Sequence, residues 1–233
     1  MLVCPVGAHS LEGGRAIDRE KCIGCFECVN ICPTGALEGC GRDMTAEDIL
    51  RIVERDRDFY GEMGGITLSG GEPFAQGEAL IGLLRKCKER GINTAVETCG
   101  YADPDLIRRA LPYVDTFLWD IKDTDDIRHR RYTGISNELI LKNLKMINEA
   151  GARIRLRCII VNTVNAERKH YENIARIACE IKNPDGVDLL PYHAYGGSKA
   201  VLIGREDNGR ADFIPTEDMI KEARSILASE GII

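Results

Sequence analysis

An α/β fold built on a parallel sheet is predicted for this chain, and three observations predict it. Short apolar runs alternate with longer segments of helical period, the alternation is sustained from Thr45 onward, and the residues that close each apolar run are polar. Strands that alternate with helices pair in parallel through helical crossovers, which leaves a barrel or a doubly wound sheet.

The strands are read at 66–68, 94–98, 116–121, 154–161 and 187–190. Helices fill the intervals at 74–90, 103–111, 136–149 and 167–181, each apolar on one face and charged on the other. Two more fit 46–56, with Thr45 as its cap, and 216–229, capped by Thr216 with Pro215 just ahead. The opening stretch differs. It is Gly-rich and loop-like and holds most of the 10 cysteines, so region 1–42 is expected to stand ahead of an α/β domain over 43–233.

With 233 residues, 44% hydrophobic and 29% charged, the chain can bury a core, and disorder and collagen are excluded. No apolar run approaches the length of a bilayer span, and Glu12, Arg15, Asp18 and Glu20 stand where a signal peptide needs an apolar core. The chain therefore reads as cytoplasmic, with no membrane partner. A net charge of -6 without a Lys/Arg stripe argues against nucleic acid. In a reducing compartment the cysteines are metal ligands, reactive thiols or core residues rather than disulfides. Cys87, Cys158 and Cys179, inside helix or strand patterns, read as buried small hydrophobes.

Residues 22–33 run Cys-Ile-Gly-Cys-Phe-Glu-Cys-Val-Asn-Ile-Cys-Pro, the C-x2-C-x2-C-x3-C-P spacing of bacterial ferredoxins. A zinc knuckle seldom uses four cysteines so compactly and lacks the trailing proline. The block Cys4-Pro5-Val6-Gly7-Ala8 repeats as Cys32-Pro33-Thr34-Gly35-Ala36, so the chain opens on the last cysteine of an earlier copy. Crossed ligation then predicts one 4Fe-4S cluster on Cys4, Cys22, Cys25 and Cys28, with Cys32 directed at a second cluster.

In parallel βα architectures the chemistry collects where strands end. Here those positions carry Gly70, Gly71 and Glu72, then Glu97 to Gly100, Asp120 and Lys122, Arg157 and Asn162, and finally His193. Singly, each has a structural alternative such as a helix cap, an ion pair or a satisfied histidine. Together, carboxylate, ammonium, guanidinium and imidazole at one mouth describe a pocket for a zwitterionic amino acid with a polar tail.

These residues resemble the activating enzymes of glycyl-radical enzymes within the radical S-adenosylmethionine superfamily. The marks are Thr67-Leu68-Ser69-Gly70-Gly71-Glu72-Pro73, Glu97-Thr98-Cys99-Gly100-Tyr101, Trp119-Asp120-Ile121-Lys122, Thr133-Gly134 with Asn137 and Asn143, and Leu190-Pro191-Tyr192-His193. The ferredoxin-like insert resembles the subgroup with two auxiliary clusters. The resemblance implies a partial (β/α)6 barrel. It places the amino group of S-adenosylmethionine at Gly70, Gly71 and Glu72, its carboxylate near Asp120 and Lys122, and Arg157 and His193 around the ligand. A monovalent cation beside the carboxylate is implied at Glu97 and Asp120, although Glu97 stands where short-form enzymes have Asp. The partners implied are a glycyl-radical enzyme as protein substrate and a reduced flavodoxin or ferredoxin as electron donor.

The family's C-x3-C-x2-C motif is not among these residues, and five strands are read where the family has six. A lost N-terminal segment is therefore expected, with the first strand missing, no radical generated by these residues alone, and self-association through an uncovered sheet edge. Two other readings remain: an iron-sulfur electron-transfer or scaffold protein with a merely structural barrel, and a non-catalytic module that only binds. The run Arg128-His129-Arg130-Arg131 reads as a solvated face, with partner docking as its second reading.

Overall fold

The computed structural model describes residues 3–10, 16–61, 64–206 and 209–233; Glu12 and Arg15, used above, lie outside them. In chain order the principal elements are β1 (His9–Ser10), β2 (Ala16–Ile17), α1 (Glu27–Asn30), α2 (Ala46–Arg55), β3 (Gly65–Leu68), α3 (Glu78–Glu89), β4 (Asn93–Thr98), α4 (Pro104–Ala110), β5 (Thr116–Ile121), α5 (Asp126–Thr133), α6 (Glu138–Glu149), β6 (Ile154–Ile160), α7 (Arg168–Cys179), β7 (Pro184–Pro191), α8 (Gly196–Leu202) and α9 (Glu217–Ser229).

Two compact units divide the chain. The first comprises 1–44 with 195–209, and the second 45–194 with 210–233. In the first, β1 and β2 pair antiparallel, and both copies of the Cys-Pro-x-Gly-Ala block make the same turn. The Gly7 amide donates to the Cys4 carbonyl at 3.2 Å and the Gly35 amide to the Cys32 carbonyl at 3.3 Å, with φ of 60° and 63° at the two glycines.

In the second unit, β3-β4-β5-β6-β7 form one parallel sheet in sequence order, the five strands expected. Burial alternates strictly along β4, β5 and β6. Val96, Phe117, Trp119, Leu156, Cys158 and Ile160 form the buried face and join one core with Leu84, Ile107, Ile147, Tyr171 and Ile174 from the helices. Each such side chain, fully buried, contributes roughly 1.5–3 kcal/mol. The other face carries Glu97, Asp120, Arg155 and Arg157, too polar for a second helix layer. A doubly wound sheet, apolar on both faces, is thereby excluded, and the arrangement is that of a partial barrel whose charged face turns inward.

Local chemistry adjusts several expected boundaries. The helix read at 74–90 begins instead as a 3₁₀ turn over Pro73–Gln76, because Gly77 at φ 54° and ψ -126° breaks the run before α3. The basic run at 128–131 is not simply a solvated face. It lies in α5, where His129 is buried, Arg128 is held by Asp123 and Glu167, and Arg130 pairs with Asp126. Cys87 and Cys158 are buried as expected, whereas Cys179, the last residue of α7, is exposed. No described helix is long and apolar enough to cross a membrane.

Candidate active site at the strand ends

Glu72 follows β3 and caps the 3₁₀ turn that Pro73 opens. Its Oε1 accepts from the Phe74 amide at 3.2 Å and the Thr98 hydroxyl at 2.7 Å. Its Oε2 accepts from the Cys99 amide and the Cys99 thiol, each at 3.1 Å. Four donors occupy the four lone-pair directions of one carboxylate. Glu72 thus ties the end of β3 to the end of β4, and the open part of this edge is the Gly70-Gly71 backbone. A Cβ at either glycine would meet no atom within 4 Å, and Gly70 has φ 123°. Burial, with the hydrogen bond and charge of Glu72 adding to it, pushes the Cys99 thiol up to about 11, so this cysteine is a neutral donor.

On the inward face, Asp120 is paired in register with Arg157. Lys122 Nζ donates to Asp120 Oδ2 at 2.7 Å. Arg157 Nη1 contacts Glu97 and lies 3.6 Å from Asp120 Oδ1. That nitrogen is buried without an aligned hydrogen-bond partner, which leaves it a donor to offer a ligand. Burial opposes the charge on Arg157, but Glu97 and then Asp120 and Asp188 outweigh it and raise its pKa. His193 lies two residues beyond the end of β7.

The strand-end loops are fixed by buried amides. Asn143 Nδ2 donates to the carbonyls of Gly100 at 2.9 Å and Ala102 at 3.0 Å, and Asn137 Nδ2 to the carbonyl of Asp123 at 3.2 Å. Both asparagines in the family marks are therefore scaffold for the loops after β4 and β5. Asn162, read as a site residue, is spent on the 210–214 segment: its amide donates to the Phe213 carbonyl at 2.9 Å and its Nδ2 to the Asp212 carbonyl at 3.0 Å. Asp123, Asn165 and His170 escaped the sequence reading. Their signal was faint: an Asp after Lys122, the Asn-Thr-Val-Asn string, and a His in an otherwise ordinary helix.

In the cysteine-rich unit, Cys28 and Cys32 line a cavity of about 580 Å³ with His9, Ile17, Ile31 and Leu37. Backbone amides at Ala8 and Val6 lower the Cys4 thiol. The Thr34 hydroxyl and the amides that follow lower Cys32 to about 7. Both shifts favour thiolate, the form that ligates iron. Cys22 and Cys25 are exposed, and among the described residues no three His, Cys, Asp or Glu side chains converge on one metal position. The turns of a cluster loop are present, while its sulfurs are not drawn together.

The strand-end site fits S-adenosylmethionine on three counts: open glycine backbone for an amine, an unused buried Arg157 donor, and carboxylates alternating with cations for a zwitterion. The Radical SAM superfamily model matches residues 21–174. The chain belongs to the radical SAM superfamily. Radical SAM proteins use a 4Fe-4S cluster with S-adenosylmethionine. Within the superfamily, this radical SAM chain groups with the activating enzymes of glycyl-radical enzymes. It is 40% identical over 212 residues to the choline trimethylamine-lyase activating enzyme of Oleidesulfovibrio alaskensis, covering 88% of this chain and 68% of that protein. To the trans-4-hydroxy-L-proline dehydratase activating enzyme of Clostridioides difficile it is 36% identical over 247 residues, covering 92% and 82%. A solved domain of pyruvate-formate lyase-activating enzyme from Bacteroides vulgatus superposes with a TM-score of 0.60 at 30% identity, over 72% of this chain and 95% of that one.

Proposed function

We propose that these residues form the S-adenosylmethionine-binding body of an activase that installs a radical on a backbone glycine of a partner enzyme. The observation that carries this reading is the constellation at the strand ends, Gly70-Gly71 backbone beside Asp120, Lys122 and Arg157. When bound, the cluster and S-adenosylmethionine supply one-electron reductive cleavage and hydrogen abstraction. The C-x3-C-x2-C motif for that cluster is not among these residues.

The chain's own share is binding and orientation. Carbonyls of the Gly70-Gly71 edge accept from the ligand's ammonium, held in place because Glu72 fastens that edge to Thr98 and Cys99. Lys122 and the unused Arg157 donor meet the ligand's carboxylate, while Glu97 and Asp120 hold those cations in position. His193 stands beyond β7 to contact the rest of the ligand. A monovalent cation at Glu97 and Asp120 would share both carboxylates with Arg157, so its binding depends on that guanidinium turning toward the ligand. The cysteine-rich unit, with Cys4, Cys22, Cys25, Cys28 and Cys32, is read as an auxiliary cluster region, and a reduced flavodoxin or ferredoxin as the electron source.

The test is electron paramagnetic resonance on the activase, reconstituted with iron and sulfide under reducing, oxygen-free conditions with S-adenosylmethionine and a glycyl-radical enzyme as the partner. A glycyl radical on the partner that disappears with Asp120→Ala supports the reading. Iron incorporation with no radical and no S-adenosylmethionine affinity would favour an electron-transfer scaffold instead.

A further inference from the structure

The loop that carries Lys122 past the end of β5 has its own anchor. The ladder between β5 and β6 ends at the Ile121–Cys158 pair, so Lys122 lies beyond the last rung. Its carbonyl accepts from Asn165 Nδ2 at 2.9 Å, and the same nitrogen donates to the Ile159 carbonyl at 3.0 Å. Asn165 Oδ1 in turn accepts from the Val161 amide at 2.7 Å. One side chain, 1% exposed, acts as an extra rung joining the ends of the two strands.

Reaching that position distorts the chain. Thr163, two residues earlier, sits at φ 63°, left-handed backbone that a β-branched residue rarely adopts, with its amide capped by Asn162 Oδ1 at 2.9 Å. The amides of Asn165 and Ala166 close the turn on the Val161 carbonyl at 3.0 Å and 3.1 Å. Strain held by surrounding bonds at a strand end is a sign of a placement the site needs.

We infer that Asn165 is a positioning residue for the ligand-binding cation: by holding the Lys122 backbone it sets where the ammonium stands relative to Asp120 and the ligand's carboxylate. The inference rests on the S-adenosylmethionine site proposed above. It asks for nothing from Asn165 at the ligand itself, since both ends of its amide are occupied by backbone.

A double-mutant cycle on S-adenosylmethionine affinity tests it, using calorimetry on the wild-type chain, Asn165→Ala, Lys122→Met and the double variant, with thermal unfolding recorded for each. Asn165→Ala is expected to weaken binding about tenfold in the Lys122 background and less than twofold in the Lys122→Met background, while lowering stability equally in both. Equal loss of affinity in both backgrounds reduces Asn165 to a structural residue and overturns the inference, as does unchanged affinity in Asn165→Ala. Unchanged affinity in Lys122→Met alone overturns the site reading instead. In that case amide exchange still judges the anchor, because residues 122–125 must exchange at least tenfold faster in Asn165→Ala. If Asn165→Ala does not fold, Asn165→Ser, which retains one donor, takes its place with the same expected pattern.

Discussion

The Glu72 carboxylate accepts both the amide and the thiol of Cys99, so one oxygen fastens two donors of a residue on the neighbouring strand end. This relationship makes Glu72 a clamp between β3 and β4, and it makes Cys99 inert. With the thiol pushed up to about 11, its thiolate fraction at pH 8 is on the order of 10⁻³. Iodoacetamide at that pH should label the exposed Cys22, Cys25 and Cys40 well before Cys99, as peptide mapping over time will show. Glu72→Gln removes the adjacent charge and should speed labelling of Cys99. It should also destabilise the fold by about 1–3 kcal/mol, since an amide cannot satisfy four donors.

Gly100 has no room for a side chain. A Cβ there would stand 2.0 Å from the Trp119 ring, and its φ of 73° is left-handed. Gly100→Ala should lower unfolding free energy by about 3 kcal/mol or more, read by urea denaturation. A loss under about 1 kcal/mol would show that Trp119 can move aside.

Asn143→Ala leaves the carbonyls of Gly100 and Ala102 without their shared donor inside the protein. A stability loss of about 1–3 kcal/mol is expected, with faster amide exchange confined to the loop after β4. Exchange spread evenly over the domain would contradict a local role.

His170 gives a pH dependence. Burial lowers it to about 4, below the ordinary 6.5, against a smaller opposing pull from Asp123. The unfolded chain binds this proton between pH 6.5 and 4 and the folded one does not, so stability falls as pH drops through that window, by about 2–3 kcal/mol. Its Nδ1 faces the Thr124 hydroxyl at 2.8 Å. His170→Asn should be less stable at pH 7 and should lose that slope between pH 6.5 and 4, measured by thermal unfolding across pH.

The parallel order and five strands were legible because the buried faces at Val96, Phe117 and Leu156 alternate with charge, and period is what a sequence displays. The pattern alone left a barrel or a doubly wound sheet open; the barrel came from the resemblance, and the face carrying Glu97, Asp120 and Arg157 excludes the doubly wound sheet in the structure. Gly77 was missed as a break because a glycine inside a helical pattern can be tolerated, and only its backbone angles reveal the boundary. Asn165 and His170 were missed because each meets a partner far back along the chain, at Lys122 and Thr124, and Asp123 because nothing in its neighbourhood singles out its bond to Arg128. Glu72 was read as a hand for the ligand's amine; the donors it holds in the structure, from Phe74, Thr98 and Cys99, are contacts that spacing along the sequence does not show. The turns at Cys4 and Cys32 were visible as a repeat, because identical residues force identical turns.

The measurement closest to the central claim is S-adenosylmethionine affinity of the chain against Asp120→Asn, by calorimetry at fixed ionic strength. Asp120 accepts from Lys122 and lies 3.6 Å from Arg157, so its neutralisation removes the charge that holds Lys122 and leaves Arg157 to Glu97 alone. A loss of tenfold or more, with the fold intact by circular dichroism, is the predicted result. Full affinity in the variant would contradict the placement of the ligand at these strand ends.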